Sequence, residues 1–209
     1  MRHGRLALVI VAAACSSSPP EAPAPAAGAA AAPAAPSASP FLISGREQYY
    51  DIDGASAGAL RDQIRRLGPK DESGASRDAL TVWELEWTYR DAPGPDSCAL
   101  SDVKVTLHVT ITLPRWKAPA TAPANLSQSW RTYLEHVRLH EGGHRTIAER
   151  NARALFAALG PLKAATCDEL HSLASRTAEE IVADGRARNR AYDVQTKHGQ
   201  TQGVVLGPL

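Results

Sequence analysis

Two stretches of the chain alternate apolar and polar residues with a period of two. From Leu80 to Arg90, Trp83, Leu85, Trp87 and Tyr89 fall on one side, with Val82, Glu84, Glu86 and Thr88 on the other. From Val103 to Leu113, Val103, Val105, Leu107, Val109, Ile111 and Leu113 oppose Lys104, Thr106, His108, Thr110 and Thr112. Successive side chains of a strand point to opposite faces, so both stretches read as half-buried strands. Asp91 to Ser97, rich in Pro and Gly, reads as the long loop of the hairpin between them. Gln48 to Ile52 reads as a short third strand stopped by Asp53-Gly54.

Elsewhere the apolar spacing is helical. Ser56 is placed to cap a helix over 57–67, with Leu60, Ile64 and Leu67 on one face, and Gly68-Pro69 ends it. A second helix starts at Ser127 or Ser129 and runs to Leu159, ahead of Gly160-Pro161. A third opens at Thr166 to Asp168 and runs to about Arg190 through Leu170, Leu173, Thr177, Ile181 and Val182. These two helices predict an antiparallel hairpin. Residues 70–78 and 117–125 read as loops, and 192–209 as loop or short strand. The pattern as a whole predicts an α+β domain, in which a small antiparallel sheet (48–52, 80–90, 103–113) packs on the helical hairpin. Trp83, Leu85, Trp87, Val105, Leu107 and Val109 are expected in its core.

The first forty positions change this picture. Apolar residues make up 44% of the 209, but much of that is alanine before Pro40, so the core must come from later positions. Arg2 and Arg5 precede an apolar run, Leu6 to Ala14, that is too short to span a bilayer. It ends Ala12-Ala13-Ala14-Cys15, which resembles the lipobox of bacterial lipoproteins, with Ala12 where Leu is usual. Residues 1–15 thus read as an export signal with Cys15 as lipidation site; the alternative is a simple signal peptide cut near Ala14. Residues 16–45, Ala/Pro/Ser-rich as far as Pro40, read as a disordered tether, and 46–209 as the folded domain. A net charge of +1 offers no basic field for nucleic acid or anionic lipid. Membrane contact is therefore expected only through the lipid anchor, with the domain in the periplasm or at the cell surface.

The chemistry centres on His140-Glu141-Gly142-Gly143-His144, of the form His-Glu-x-x-His. Four residues apart on a helix, two imidazoles share a face and can share a metal ion, for which zinc is the usual occupant. Glu141 then stands where a carboxylate can take a proton from water. Two adjacent glycines inside a helix need a reason, such as close approach of another group. A catalytic zinc also needs a third ligand, which the pentapeptide lacks. His136, one turn earlier, cannot reach the same ion and is expected to be exposed. His108 is expected to be solvated on the polar strand face. Cys98 and Cys167 read as a disulfide in an exported protein, with a cysteine ligand to the metal as the rival.

Taken together, Tyr50-Asp51, Gly54, Leu67-Gly68-Pro69, Trp83, Trp87 and Cys98 resemble a known family. So do Leu113-Pro114, Trp116, Trp130, the His140 motif, Cys167 and Tyr192-Asp193-x-x-Thr196-x-His198-Gly199. It is a bacterial domain-of-unknown-function family described as predicted secreted zinc-dependent proteases, and the likeness covers residues 46–203. The resemblance implies a zincin-like fold and a metalloprotease-like site, without naming a substrate. Asp193 and His198 lie in a matching block, so a tail folded back over the motif helix makes them the first candidates for third ligand. His198 is alternatively a donor to the oxyanion of a tetrahedral intermediate. A helical hairpin turning near residue 163 would instead set Glu180 and Asp184 level with His144, although Glu180 reads more simply as a solvated charge. The expected function is a zinc-dependent peptidase acting on a peptide or protein substrate with Glu141 as general base. The alternative is a non-enzymatic envelope lipoprotein that binds a protein partner and carries a structural or vestigial metal site.

Overall fold

The computed structural model describes residues 2–5 and 39–206. Among the described residues nine elements follow in the order β1 (Arg2–Arg5), β2 (Phe41–Asp53), α1 (Ala57–Leu67), β3 (Leu80–Gly94), β4 (Ser97–Lys117), α2 (Ala124–Leu159), β5 (Lys163–Ala164), α3 (Cys167–Thr196) and a 3₁₀ turn at Gln200–Gln202. Cys15 and the apolar run before it lie outside the described residues. No helix among the described residues is long and apolar enough to cross a membrane.

The architecture is α+β, and the sheet is mixed rather than purely antiparallel. Its order is β1-β3-β4-β2, with β5 added to β4. β3 and β4 form the expected antiparallel hairpin, with Trp83 opposite Val109 and Leu85 opposite Leu107. β2 instead runs parallel to β4, Phe41 opposite Val105 and Asp53 opposite Lys117. The chain leaves β2 through α1, returns as β3 and only then places β4 between them. Periodicity assigns a residue to a face of the sheet but not a strand to its neighbours, so the alternation by itself does not specify the parallel pair. β1 pairs with the outer edge of β3, Arg5 opposite Glu86.

The strands are also longer than expected. β2 begins at Phe41, taking in residues assigned above to the tether, because Phe41 packs on Phe156 with ring centroids 5.9 Å apart. The expected loop over 91–97 is instead continued ladder, closed by a tight turn between Gly94 and Ser97. The helix ends differ too. Ser56 caps α1 by accepting from the Ala59 amide at 3.2 Å. α2 starts earlier than either serine, at Ala124, behind Pro123, whose ring cannot continue a helix backwards. α3 carries the capping box of Thr166 and Glu169 and runs six residues past Arg190, to Thr196.

Two apolar cores flank the middle of α2. In the first, Leu85, Trp87, Tyr89, Val105, Leu107 and Val109 from the sheet meet Ala148, Ala152, Leu155, Leu170, Ala174 and Ala178 from the helices. The strand phase is therefore as expected, but Trp83, placed in the core above, is half-buried at the edge of it. The second core joins Ile52, Leu60, Ile64 and Leu113 to Leu126, Trp130, Tyr133 and Val137, and the tail seals it with Val204 and Leu206. Burying these side chains at ~25 cal/mol per Å² of apolar area holds both ends of α2 rigidly. The His140 motif lies between the two.

The helical hairpin does not turn symmetrically about residue 163. The segment after α2 runs outward to pair Lys163 and Ala164 with Ala99 and Cys98, and a disulfide joins Cys98 to Cys167. α3 therefore begins beyond the end of α2 and returns shifted along it. Gly185 faces Asn151, and a Cβ there would meet the Asn151 side chain at 2.3 Å. Asn189, not Glu180 or Asp184, arrives level with His144. The disulfide thus replaces the rival reading in which a cysteine binds the metal, and it anchors the helix register that builds the site.

Candidate metal centre

His140 and His144 project from the face of α2 that also buries Val137, Ala148 and Asn151. They are 6% and 8% exposed, and Glu141 is 4% exposed. Ionisable groups so buried need partners, and each has them. His140 Nδ1 lies 2.9 Å from Gln202 Oε1, and His144 Nδ1 lies 2.8 Å from Asn189 Oδ1. An amide oxygen only accepts, so each Nδ1 carries the proton and each Nε2 turns to the other side. There both Nε2 atoms converge on one oxygen, Asp193 Oδ1, at 3.3 and 3.2 Å. One atom from each of His140, His144 and Asp193 lies within 4.8 Å of the others.

The third member therefore comes from α3 itself rather than from a tail looping back. Asp193 sits one helical turn after Asn189, so one helix face supplies both a candidate ligand and the group that orients His144. Glu180 lies more than three turns before Asp193, exposed on α3, and is not part of the group. His198 follows the left-handed C-cap Lys197, is itself left-handed at φ 54°, and puts Nδ1 3.3 Å from Asp193 Oδ1. It is not one of the converging ligands, but it stands beside them at the cleft.

The charges support one another. Burial opposes ionising Asp193, yet the hydrogen bonds that His140 and His144 donate through Nε2 when their rings carry both protons outweigh it and hold its carboxyl well below the usual range. Burial likewise disfavours charged His144, but the bonds to Asp193 and Asn189 win, so its pKa is raised. Burial is the dominant influence on Glu141 and pushes its carboxyl up, against a 2.6 Å hydrogen bond donated by Thr81 Oγ1. A carboxylate with a raised pKa is a better proton acceptor, as a general base requires.

The donor set fits a divalent metal. It offers two imidazoles held with Nε2 converging, a carboxylate on the same point, and amide partners that raise ligand basicity from behind. The group opens into a cleft of about 900 Å³ walled by the Lys70–Leu80 loop, the Thr81–Leu85 edge of β3 and the last turns of α3.

Three supporting residues, Thr81, Asn189 and Gln202, are not singled out by the sequence, and a fourth, Tyr192, enters there only as part of the matching block, without a role. Thr81 had a visible signal, since it shares strand parity with Trp83 and Leu85 and is polar on an apolar face. Asn189 lies four residues before Asp193. Gln202 has no local signal, and Tyr192 has only its place beside Asp193 in the matching block. The Tyr192 ring stacks on His140 at 5.1 Å and 13°, and its hydroxyl accepts from Gln202 Nε2 at 3.0 Å. Tyr192 also accounts for one of the two glycines: a Cβ on Gly143 would lie 2.1 Å from its hydroxyl. A Cβ on Gly142 would meet nothing within 4 Å, and nothing in the structure explains that glycine. His136, expected to be exposed, is half-buried and holds the tail through Nδ1, 2.8 Å from the Gly203 carbonyl oxygen. His108 lies on the polar sheet face as expected, 2.6 Å from Ser44 Oγ.

The sequence profile of a bacterial family of unknown function, DUF922, matches residues 47–199, from β2 through the site to Gly199. The chain belongs to that family. Comparison of this DUF922 chain with curated proteins and with solved structures returned no match. The matched span contains the metal group, Glu141, Thr81, Asn189, Tyr192 and both bridged cysteines, whereas Gln202 lies just beyond it.

Proposed function

We propose that this DUF922 domain is a zinc-dependent peptidase of the bacterial cell envelope. The observation that carries the reading is the placement of a buried Glu141 carboxylate beside the converging His140, His144 and Asp193, at the floor of a cleft large enough for a peptide. Zinc held by these three side chains would polarise a carbonyl and lower the pKa of water to about 7. Among the chain's own groups, Glu141 accepts the proton of the attacking water and returns it to the leaving amine. Thr81 fixes the Glu141 carboxylate by its hydroxyl. Asn189 and Gln202 keep the two imidazoles in the tautomer that presents Nε2. His198, exposed at the cleft and next to Asp193, donates to the oxyanion as it forms.

The test separates ligand from base. His140→Ala, His144→Ala and Asp193→Ala should each lose bound zinc together with hydrolysis of a broad peptide library. Glu141→Gln should keep zinc and the fold but lose hydrolysis. His198→Ala should keep zinc and slow the reaction on the order of a hundredfold. A folded domain that binds no zinc at neutral pH would overturn the peptidase reading in favour of a partner-binding lipoprotein. We also propose attachment through a lipid on Cys15, which Cys15→Ser should abolish, moving the protein out of the membrane fraction.

A further inference from the structure

We propose that the cleft selects substrates that place a carboxylate next to the scissile bond, seated on Arg186 and Arg190. The inference rests on the peptidase reading and names its substrate class. Most charged groups lining the cleft are already neutralised within the fold. Arg61 grips Asp78 through both carboxylate oxygens at 2.8 Å, with Tyr133 donating to the same group. Arg77 holds Asp71 at 2.6 Å, and Asp193 faces the histidines. Lys70 and Glu72 are of opposite sign on one loop, and Glu84 shares strand parity with Val82 on the face turned away from the helices.

The α3 wall differs. Arg186 and Arg190 both line the cleft, both are exposed, and neither has a carboxylate partner among the described residues. Their neighbour Arg188, in contrast, is paired with Asp184 at 2.7 Å. One turn apart, the two guanidiniums share a side of the helix. At 1.5 Å per residue, Arg190 stands about 4.5 Å and Arg186 about 10 Å from Asp193 along the helix axis. An extended peptide rises about 3.3 Å per residue, so these spacings match side chains one and three residues from the bond at the metal. Half-buried Trp83 on β3 and buried Val182 on α3 add apolar surface to the cleft lining. A guanidinium fork suits a carboxylate bidentately, whether that carboxylate is an Asp or Glu side chain or the substrate's own C-terminus.

The experiment uses the zinc-loaded full chain and peptides carrying Glu, Gln or Lys at each position flanking the cleaved bond. Each peptide is made with a free and with an amidated C-terminus. Expected is a Glu-over-Gln preference in kcat/KM on the order of tenfold, shrinking as salt is raised. A preference that follows the free terminus instead assigns the carboxylate to the chain end. Arg186→Gln/Arg190→Gln should level the preference, and Arg186→Glu/Arg190→Glu should turn it toward Lys, with zinc content and Tm unchanged because both side chains are exposed. Hydrolysis at equal rates for Glu, Gln and Lys, with either terminus, would overturn the inference and leave the peptidase reading standing. If no peptide is cleaved, the peptidase reading fails, and binding of the same peptides to zinc-loaded Glu141→Gln protein decides the inference. Equal affinity for acidic and neutral peptides would then overturn it too.

Discussion

The two glycines of the motif should respond in opposite ways to the same added methyl group. Glycine inside a helix costs about 1 kcal/mol relative to alanine. At Gly142 the new Cβ meets nothing, so Gly142→Ala should stabilise by about that amount and raise Tm by about 3 °C for a domain of this size. At Gly143 the same Cβ would lie 2.1 Å from the Tyr192 hydroxyl, 2.3 Å from its Cζ and 2.7 Å from its Cε1. The ring must move, and it is stacked on His140 and bonded to Gln202, the residue that orients His140. Overpacking costs about 1–3 kcal/mol. After the helix gain is subtracted, Gly143→Ala should be neutral to about 2 kcal/mol destabilising, hence at least 1 kcal/mol below Gly142→Ala. Displacing the partner behind a metal-binding imidazole should also weaken zinc about tenfold. The assay is thermal denaturation of the metal-free domain with zinc titration beside it. A double-mutant cycle on Tyr192→Ala isolates the steric part, because removing the ring should let Gly143→Ala behave like Gly142→Ala. Equal Tm and equal zinc affinity for the two single variants would refute the reasoning.

Asn189→Ala and Gln202→Ala should each lower zinc affinity by roughly 10–100-fold with the ligands intact, measured by competition with a chelator. Reducing the bridge between Cys98 and Cys167, 69 residues apart, should cost about 4 kcal/mol in denaturant unfolding on the chain-entropy model. Because the bridge also sets the register of α3, zinc affinity should fall with it. In the metal-free domain, the Asp193 carboxyl is held below its ordinary 3.8, so its stabilisation exists above that pH and is lost as pH falls through the folded value. His144 is raised above 6.5, so its contribution is full below 6.5 and lost as pH rises through the folded value. The Tm difference between the native chain and Asp193→Asn, taken in chelator, should therefore be largest between about pH 4 and 6.5. Added zinc, which competes with the same protons, should move the maximum above neutrality.

Local pattern alone determined a good deal of this protein. Strand phase was legible because burial on one face imposes a period of two, and Leu85, Val105 and Leu107 are buried as that period requires. The Ser56 cap, and the start of α3 at Thr166, were legible because the backbone donors at a helix start have no other partner. His140, Glu141 and His144 were legible because four residues close one turn of any helix. The tertiary structure decided what depends on how distant elements meet. The parallel pairing of β2 with β4 follows from strand order, about which alternation is silent. The choice of Asp193 over Glu180 follows from how far α3 slides along α2. That slide is set by β5 on β4 and the bridge from Cys98 to Cys167, since each further turn of sliding brings a different residue opposite His144. Helical spacing fixes which side chains share a face of one helix, but only packing against a second element fixes which residue of that element they face.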